Sequence, residues 1–463
     1  MLSTYLKTSK EKLKKLVDLL SKEFEFVSIL GNDTKSINYM VNSMMTSIRD
    51  GEDSERGFVV KMSNGNAYFE YSFDTLDEDI ELLAKKIIEK VKLEGPLAQV
   101  NTLKVEEEKI TKEFIREGDL DSFSSEEIIS KLTKLKDEIL AKDSHLVNAL
   151  AALMCLHVNK IYISKNKELA QSYTWVNGFV LGYYLDEKMV VAREGAYSNK
   201  VSEVLEKLPS LIDPLIDKAK HLVKAKPIEP GVYDIITHPS ITGLIAHEAF
   251  GHGVEMDQFV KDRAVAKEYI GKYVASPLVN MKDGAASTLS VASYFFDDDG
   301  VLAQDTLIIK EGILQQGICD LVSSRQLGVS PTGNGRRQSY KNKAYTRMTN
   351  TFFEPGVSNV EDMIKSVKHG YMLFETNNGM EDPKNWAIQC VCEYGIEIVD
   401  GKLTENYVSP VVMSGYVPDL LKSISMVSKD LMVIGAGQCG KGYKEWVRVS
   451  DGGPYLKARV KLS

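Results

Sequence analysis

Two histidines and a glutamate lie within six residues of each other, at His247, Glu248 and His252. This composition is typical of zinc hydrolases, in which two imidazoles on one helix bind the ion and the adjacent carboxylate acts on a water molecule. The usual motif is H-E-x-x-H, but here the histidines are five residues apart. On a regular helix that separation turns their side chains about 140° apart. A regular helix would therefore not let one ion bind both.

Two changes in the backbone would bring the imidazoles together. A single π-turn with i→i+5 hydrogen bonds realigns them, and such turns favour functional sites. Alternatively, the helix unwinds at Gly251, because glycine adopts conformations that other residues avoid. In either case Glu248 faces a water molecule and serves as general base. The plainer interpretation is a helix end with two ordinary histidines and a surface glutamate.

A third ligand has to come from elsewhere in the chain. Cys439 lies in the glycine-rich stretch 435–442, directly after an apolar run. A thiolate on a tight loop at a strand end suits zinc. An isolated cysteine is more often an inert buried residue, but glycines do not build a core around it. From spacing alone, Glu255, Asp257 and His238 are other possible ligands.

Two other stretches match nucleotide-binding and calcium-binding motifs only in part. Residues 435–440 match G-x-G-x-x-G, and Lys441 completes a phosphate-loop pattern. Only about twenty residues follow, too few for a βαβ unit of roughly 30, and Gly442 stands where a phosphate loop needs Ser or Thr. The acidic run 297–300 lacks the spaced ligands of a calcium loop and predicts a polar turn.

Composition bounds the class of protein. The chain has 463 residues, 43% of them hydrophobic, with a net charge of −8. This size predicts two or three domains, and the acidic balance argues against nucleic acid as the main ligand. No apolar run reaches the roughly 20 residues that span a bilayer, and the N-terminal segment lacks the apolar core of a secretory signal. Five scattered cysteines fit a reducing compartment, so we expect a cytoplasmic protein that binds no membrane.

The first half of the chain alternates between helical and strand-like patterns. Apolar residues at helical spacing predict helices over about 13–24 and 80–91, and Asn64-Gly65 predicts a hairpin between them. Ser124 and Glu127 form a capping box ahead of a helix that runs to about residue 141. Strand-like runs and further helical segments follow up to residue 224. The recurring order indicates two related helix–strands–helix units.

A cluster of Pro227, Pro230 and Gly231 predicts a domain boundary. We therefore expect domains at 1–226 and 227–463. Beyond the boundary short strands and glycine turns dominate, with one helix-like segment at 241–252. The predicted class is α+β: an N-terminal α/β domain with antiparallel strands and packed helices, then a β-rich C-terminal domain carrying one metal-binding helix.

Four stretches in this order resemble one family of proteins. They are HEAFGHGVE at 247–255, SPTGNGRRQSY at 330–340, TRMTNTFFEPG at 346–356 and GQCGKG at 437–442. Together they are similar to the TldD/PmbA family of zinc metallopeptidases, also called modulators of DNA gyrase. The resemblance covers most of residues 231–463 and is weaker over the first half.

The resemblance implies a zinc site with His247, His252 and Cys439 as ligands and Glu248 as the catalytic acid/base. Because all four are present, the chain resembles the active TldD-type subunit, whereas the PmbA/TldE-type partner typically lacks the histidine motif. The family implies unfolded or short peptides as substrates, and a homodimer or a heterodimer with a PmbA/TldE-type subunit. Residues 237–243 and the residue after Glu255 depart from better-known members, which bears on substrate preference.

Three arginines in the family-like segments, Arg336, Arg337 and Arg347, are expected to bind a peptide carboxylate or steady an extended substrate. The alternative is that they only form local ion pairs. The sequence thus predicts a zinc-dependent peptidase. Two other functions stay open: a non-catalytic peptide-binding subunit with a vestigial metal site, and a thiol hydrolase that uses Cys439 as nucleophile.

Overall fold

The computed structural model describes residues 2–77, 79–99, 107–442 and 445–463. In the described part of the first half, the α-helices are α1 (Thr4–Leu20), α2 (Ile80–Glu94), α3 (Ser125–Lys142), α4 (Val201–Lys207) and α5 (Ile212–Lys224). The strands there are β1 (Phe26–Asn42), β2 (Thr46–Asp50), β3 (Glu55–Asn64), β4 (Ala67–Phe73), β5 (Ala98–Gln99), β6 (Ile110–Ile115), β7 (Leu146–Ser164), β8 (Lys167–Leu185) and β9 (Met189–Ser198).

These strands form one sheet in the order β5-β4-β3-β1-β7-β8-β6, with β2 on β1 and β9 on β8. All pairings are antiparallel except β6 with β8. Helices α1 and α2 pack with β1 and β3 around one apolar cluster. Helices α3, α4 and α5 pack with β7, β8 and β9 around another. Each half of the sheet is therefore stabilised by its own helices.

Local sequence patterns account for several of these elements. Ser124 and Glu127 form the predicted capping box, and α3 begins at the next residue. Gly65 has φ of 51° in the hairpin between β3 and β4, a conformation that glycine adopts without cost. The first helix ends at Leu20 rather than near residue 24. Helix–strands–helix order is present twice, but the relatedness of the two units stays a prediction.

The described second half contains the helices α6 (Pro239–Leu244), α7 (Met256–Val260), α8 (Leu321–Leu327), α9 (Val360–Lys365) and α10 (Val417–Lys422). Its strands are β10 (Gly231–Thr237), β11 (Met281–Asp283), β12 (Thr306–Lys310), β13 (Ile313–Leu314), β14 (Gly335–Arg336), β15 (Tyr345–Thr346), β16 (Asn350–Phe353), β17 (His369–Asp382), β18 (Ala387–Val399), β19 (Lys402–Val408), β20 (Val411–Tyr416), β21 (Met426–Val427), β22 (Met432–Lys441), β23 (Glu445–Gly453) and β24 (Leu456–Leu462).

Two larger sheets enclose the main core of this half. One has the order β10-β17-β18-β20-β24-β21 with β19 on β18, and the other β13-β12-β11-β16-β23-β22. Between them lies the helical segment that begins with α6, whose apolar residues belong to the same cluster. The predicted α+β class is confirmed. The boundary at 226/227 stays a prediction, although α5 ends at Lys224 and β10 begins at Gly231.

Buried ion pairs join the two halves. Lys61 of β3 pairs with Asp299, and Lys160 of β7 lies 2.5 Å from Asp298. Both aspartates are almost fully buried, so the predicted polar turn is a turn that binds lysines of the first sheet. Burial of such charges is costly unless they are paired, and the pairs therefore fix this contact. Within the described residues, no helix is both long and apolar enough to cross a membrane.

Candidate metal centre

The histidine motif lies on a helix whose hydrogen bonding changes along its length. Helix α6 continues into a π-helical turn over Ile245–Gly251, then a 3₁₀ turn over His252–Val254. The backbone N–H of His252 donates to the carbonyl of His247, which is an i→i+5 bond. The helix therefore contains the predicted π-turn and does not unwind at Gly251. It brings both imidazoles to the same side of the helix.

Gly251 lets this turn pack closely against Met348. A methyl group on Gly251 would lie 2.1 Å from Sδ of Met348, far inside a normal contact. Its φ in the turn is −59°, so the glycine is required for space rather than for an unusual backbone conformation.

The three candidate ligands come together from two distant parts of the chain. His247 and His252 come from the π-helical segment and Cys439 from β22, and one donor atom of each lies within 4.8 Å of the others. Sγ of Cys439 is 3.6 Å from Nε2 of His252. The two imidazole rings are 5.1 Å apart and nearly perpendicular. His247 and Cys439 are buried, while the side chain of His252 is 20% exposed.

This donor set fits zinc. Ligand atoms around a tetrahedral zinc ion are about 3.5 Å apart, which matches the separation of Cys439 from His252. All three donor atoms lie within 4.8 Å of one another. Two imidazoles and one thiolate also form a chemically preferred set for zinc, which leaves a fourth position free.

Cys439 does not lie on a loop, as its glycine-rich surroundings predicted. It is inside β22, where it pairs with Val447 of β23. The glycines permit close packing: a methyl group on Gly435 would lie 2.9 Å from Val291 and 3.0 Å from Tyr197. A bulge between Ile434 and Gly437 adjusts the strand register. The stretch is therefore a strand that other segments approach closely, which a sequence pattern does not distinguish from a turn.

Charge at the site favours the thiolate. Burial raises the pKa of the Cys439 thiol, but His252 and His247 beside it lower that pKa well below its usual value. Burial lowers the pKa of His252, while Cys439 and Glu255 raise it well above its usual value. The neighbouring imidazoles thus favour the thiolate form of Cys439. A thiolate is the form of cysteine that binds a metal or attacks a carbonyl.

Glu248 lies beside the ligands. Its Oε2 is 3.9 Å from Nε2 of His252, and its side chain is 19% exposed. Burial raises the pKa of Glu248 above its usual value. Glu248 thus lies close to the donor atoms without being one of the grouped residues, and its role as general base stays a prediction.

The other residues considered as ligands have different positions. Glu255 lies behind His252, and its Oε2 accepts a hydrogen bond from Nδ1 of that histidine at 3.1 Å. Asp257 contacts Lys441. His238 is the N-cap of α6 and accepts from the backbone N–H of Ser240. Glu255 thus contacts the ring of His252 in the way that outer carboxylates contact histidine ligands around zinc.

All three candidate substrate-binding arginines contact the protein itself. Arg336 donates to two backbone carbonyls, and Arg337 pairs with Glu70 at 2.7 Å. Arg347 is fully buried and donates to the carbonyl of Cys439 at 2.5 Å. These contacts make them structural in the observed state, and their role in substrate binding stays a prediction.

Sequence reasoning missed Glu381 on β17. Both of its carboxyl oxygens are buried, and burial raises its pKa well above the usual value although His252 and the backbone N–H of Gly253 lower it. A methyl group on Gly253 would lie 2.7 Å from Glu381 and 3.2 Å from Nε1 of Trp386. No sequence motif marks Glu381, because the hairpin that brings it beside His252 is distant in sequence.

Comparison with known sequences identifies related proteins. A profile of the PmbA/TldA metallopeptidase C-terminal domain matches residues 230–461. A metalloprotease of Methanothermobacter thermautotrophicus is 32% identical over 243 residues, 52% of each chain. A zinc metalloprotease TldD homolog of Saccharolobus solfataricus is 31% identical over 282 residues, 58% of this chain and 62% of that protein. The chain thus aligns with about half the length of the curated relatives it matches.

Solved structures show the same fold at lower identity. A protein from Thermotoga maritima described as a modulator of a DNA gyrase superposes with a TM-score of 0.78 at 18% identity, covering 98% of this chain and all of that one. TldE from Thermococcus kodakarensis gives 0.76 at 17% identity, with 98% and 100% covered. With the histidine motif, the π-turn and the profile match, these findings show that the chain belongs to the PmbA/TldD family of metallopeptidases.

Proposed function

We propose that the chain is a zinc-dependent peptidase that hydrolyses unfolded polypeptides or short peptides. The observation that carries this proposal is the grouping of His247, His252 and Cys439, with donor atoms within 4.8 Å of one another and Glu248 beside them. Relatives described as metalloproteases support the reaction class, and one of them is described as a zinc enzyme.

The mechanism follows from the positions of these side chains. His247, His252 and Cys439 would hold a zinc ion, which would supply Lewis acidity toward the scissile carbonyl and lower the pKa of water to about 7. Glu248 accepts the proton of the attacking water and delivers it to the leaving amine. The partial exposure of His252 and Glu248 gives substrate an approach from the solvent side, while buried Cys439 and His247 keep the opposite side closed.

The same proposal includes a partner of related fold. The superposition with TldE supports assembly with a PmbA/TldE-type subunit, and a homodimer is the alternative. Size-exclusion chromatography with light scattering, on the chain alone and mixed with such a subunit, separates the two.

Metal content and cleavage together test the proposed site. The chain is purified without oxygen as wild type, His247→Ala and Cys439→Ala, with His369→Ala and Cys392→Ala as matched controls. His369 is exposed, and burial raises the pKa of Cys392 to about 12, so neither resembles a zinc ligand. We expect about one zinc per chain, lost together with cleavage of an unfolded peptide only in the first two variants.

A thiol hydrolase is the second candidate, because His252 and His247 lower the pKa of Cys439. In that case cleavage is lost in the Cys439 variant, persists with a strong chelator present, and zinc is absent from the wild type. Zinc that binds normally without any cleavage would instead favour the non-catalytic peptide-binding subunit.

A further inference from the structure

Lys441 lies two residues after Cys439 on β22, and its side chain points into the protein rather than into solvent. Its side chain is 11% exposed. Nζ donates to Oε2 of Glu255 at 2.9 Å, to Oδ1 of Asp257 at 2.7 Å and to the carbonyl of Thr346 at 2.8 Å. An ammonium group has three donors, so all of its hydrogen-bonding capacity is used on these three acceptors.

One oxygen of Glu255 is shared between this lysine and a candidate ligand. Oε2 accepts from Lys441 and also from Nδ1 of His252 at 3.1 Å. The other oxygen, Oε1, is buried without a partner among the described residues. Both contacts therefore converge on a single atom, and the position of that atom depends on Lys441.

The direction of the hydrogen bond to Glu255 determines which nitrogen of His252 is free. When Nδ1 donates to the carboxylate, the lone pair of Nε2 is available for a metal. Nε2 is the atom that lies 3.6 Å from Sγ of Cys439. Strand β22 thus carries both Cys439 and Lys441, and Lys441 contacts the same carboxylate oxygen as His252.

We propose that Lys441 is a positioning residue of the metal site, which fixes Glu255 and through it the ring orientation of His252. This rests on the proposed function, since it assigns a role toward the same metal. Loss of the ammonium group removes the cation that bridges the buried carboxylates of Glu255 and Asp257. Without that cation the two buried carboxylates repel each other and move apart, so the ring of His252 loses its support.

The matched control is Lys261, a second lysine that contacts Asp257. Lys261 contacts Oδ2 of Asp257 at 3.4 Å and is 45% exposed. Its side chain has the same charge and length as that of Lys441. Lys261 pairs with Asp257, whereas Lys441 also donates to Glu255. Lys261→Met therefore removes a lysine from the cluster without removing support from His252.

The experiment measures Co²⁺ binding to the full chain by competition with a chelator, and records the visible spectrum of the bound ion. We expect Lys441→Met to weaken Co²⁺ binding about 10–100-fold, the usual cost of removing an outer partner of a ligand, and to alter the spectrum. Lys261→Met should match the wild type in both. Glu255→Gln should weaken binding to a similar degree, and the double variant with Lys441→Met should be weakened no further, because both act through one contact.

Wild-type affinity and spectrum in Lys441→Met would overturn the positioning role while leaving the proposed peptidase intact. A wild type that takes up no metal at all would overturn both. If Lys441→Met does not fold by circular dichroism, Glu255→Gln decides the matter, since glutamine keeps the volume of the side chain. Wild-type metal affinity in that variant equally rejects the proposal.

Discussion

Gly379 of β17 lies directly against Glu248. A methyl group on Gly379 would be 2.6 Å from Cγ of Glu248 and 3.0 Å from its Cβ. The backbone of the β17–β18 hairpin thus forms the surface on which the carboxylate side chain rests. Since the hairpin and the π-helical turn pack in one core, the orientation of this carboxylate is fixed by a strand more than a hundred residues away in sequence.

Gly379→Ala should reduce turnover without removing the metal. The added methyl group has no space unless Glu248 or the hairpin moves, and a displacement of about 1 Å in a catalytic group costs on the order of 100-fold in rate. Gly415→Ala is the matched control, because a methyl group on Gly415 meets nothing within 4 Å. The measurement is kcat on an unfolded peptide together with zinc content. Equal kcat in the two variants would contradict the prediction.

Glu248→Gln should retain zinc and lose hydrolysis. Glutamine keeps the shape of the side chain but cannot accept the proton of water, so kcat should fall by about 10²–10⁴-fold. Glu248 is not among the three grouped donor residues, so metal content should stay near that of the wild type. Activity above a tenth of the wild type, or loss of zinc, would remove Glu248 from the role of base.

Arg347→Met should destabilise the fold. Arg347 is fully buried and donates to the carbonyls of Cys439 and Glu445, and a hydrogen bond from a charged group contributes about 1.5–3 kcal/mol. Arg459 is the control, because it is 64% exposed and an exposed ion pair contributes at most about 1 kcal/mol. Urea unfolding of both methionine variants measures the difference. A loss for Arg347→Met no larger than for Arg459→Met would show that the buried contact is dispensable.

The stability of the fold should fall in mild acid because of His238. Burial lowers the pKa of His238 to about 4, against about 6.5 in an unfolded chain. Between these two values the unfolded chain binds more protons, so the free energy of unfolding decreases as pH drops from about 6.5 towards 4. His238→Asn should remove part of this slope, because asparagine keeps the N-cap of α6 without titrating.

Urea unfolding at several pH values between 4 and 7.5, for wild type, His238→Asn and His369→Asn, measures that slope. His369 is exposed and pairs with Glu397, a hydrogen bond that asparagine can keep, so its replacement should change the slope less than the replacement of His238. An unchanged slope in His238→Asn would assign the acid sensitivity to other groups.

The sequence predicts a structural feature correctly where residues close to each other in the chain create that feature. The capping box at Ser124 and the hairpin at Gly65 are examples, because turn and cap chemistry acts within a few residues. The histidine spacing likewise required a local change of helix geometry, and a π-turn over Ile245–Gly251 is present. The four stretches that resemble the family were recognisable for the same reason.

Contacts between distant strands could not be inferred in this way. The residue type of Cys439 indicates a ligand, but its surroundings predict a turn where the structure has a strand, because glycines that admit close packing resemble glycines that permit turns. The support that Lys441 gives to Glu255, and the surface that Gly379 presents to Glu248, depend on β22 and β17 meeting the π-helical segment. Residue types and short spacings thus specify which side chains have the chemistry of a metal site. Packing of strands from distant parts of the chain sets their distances and orientations, because those depend on the shape of the whole core.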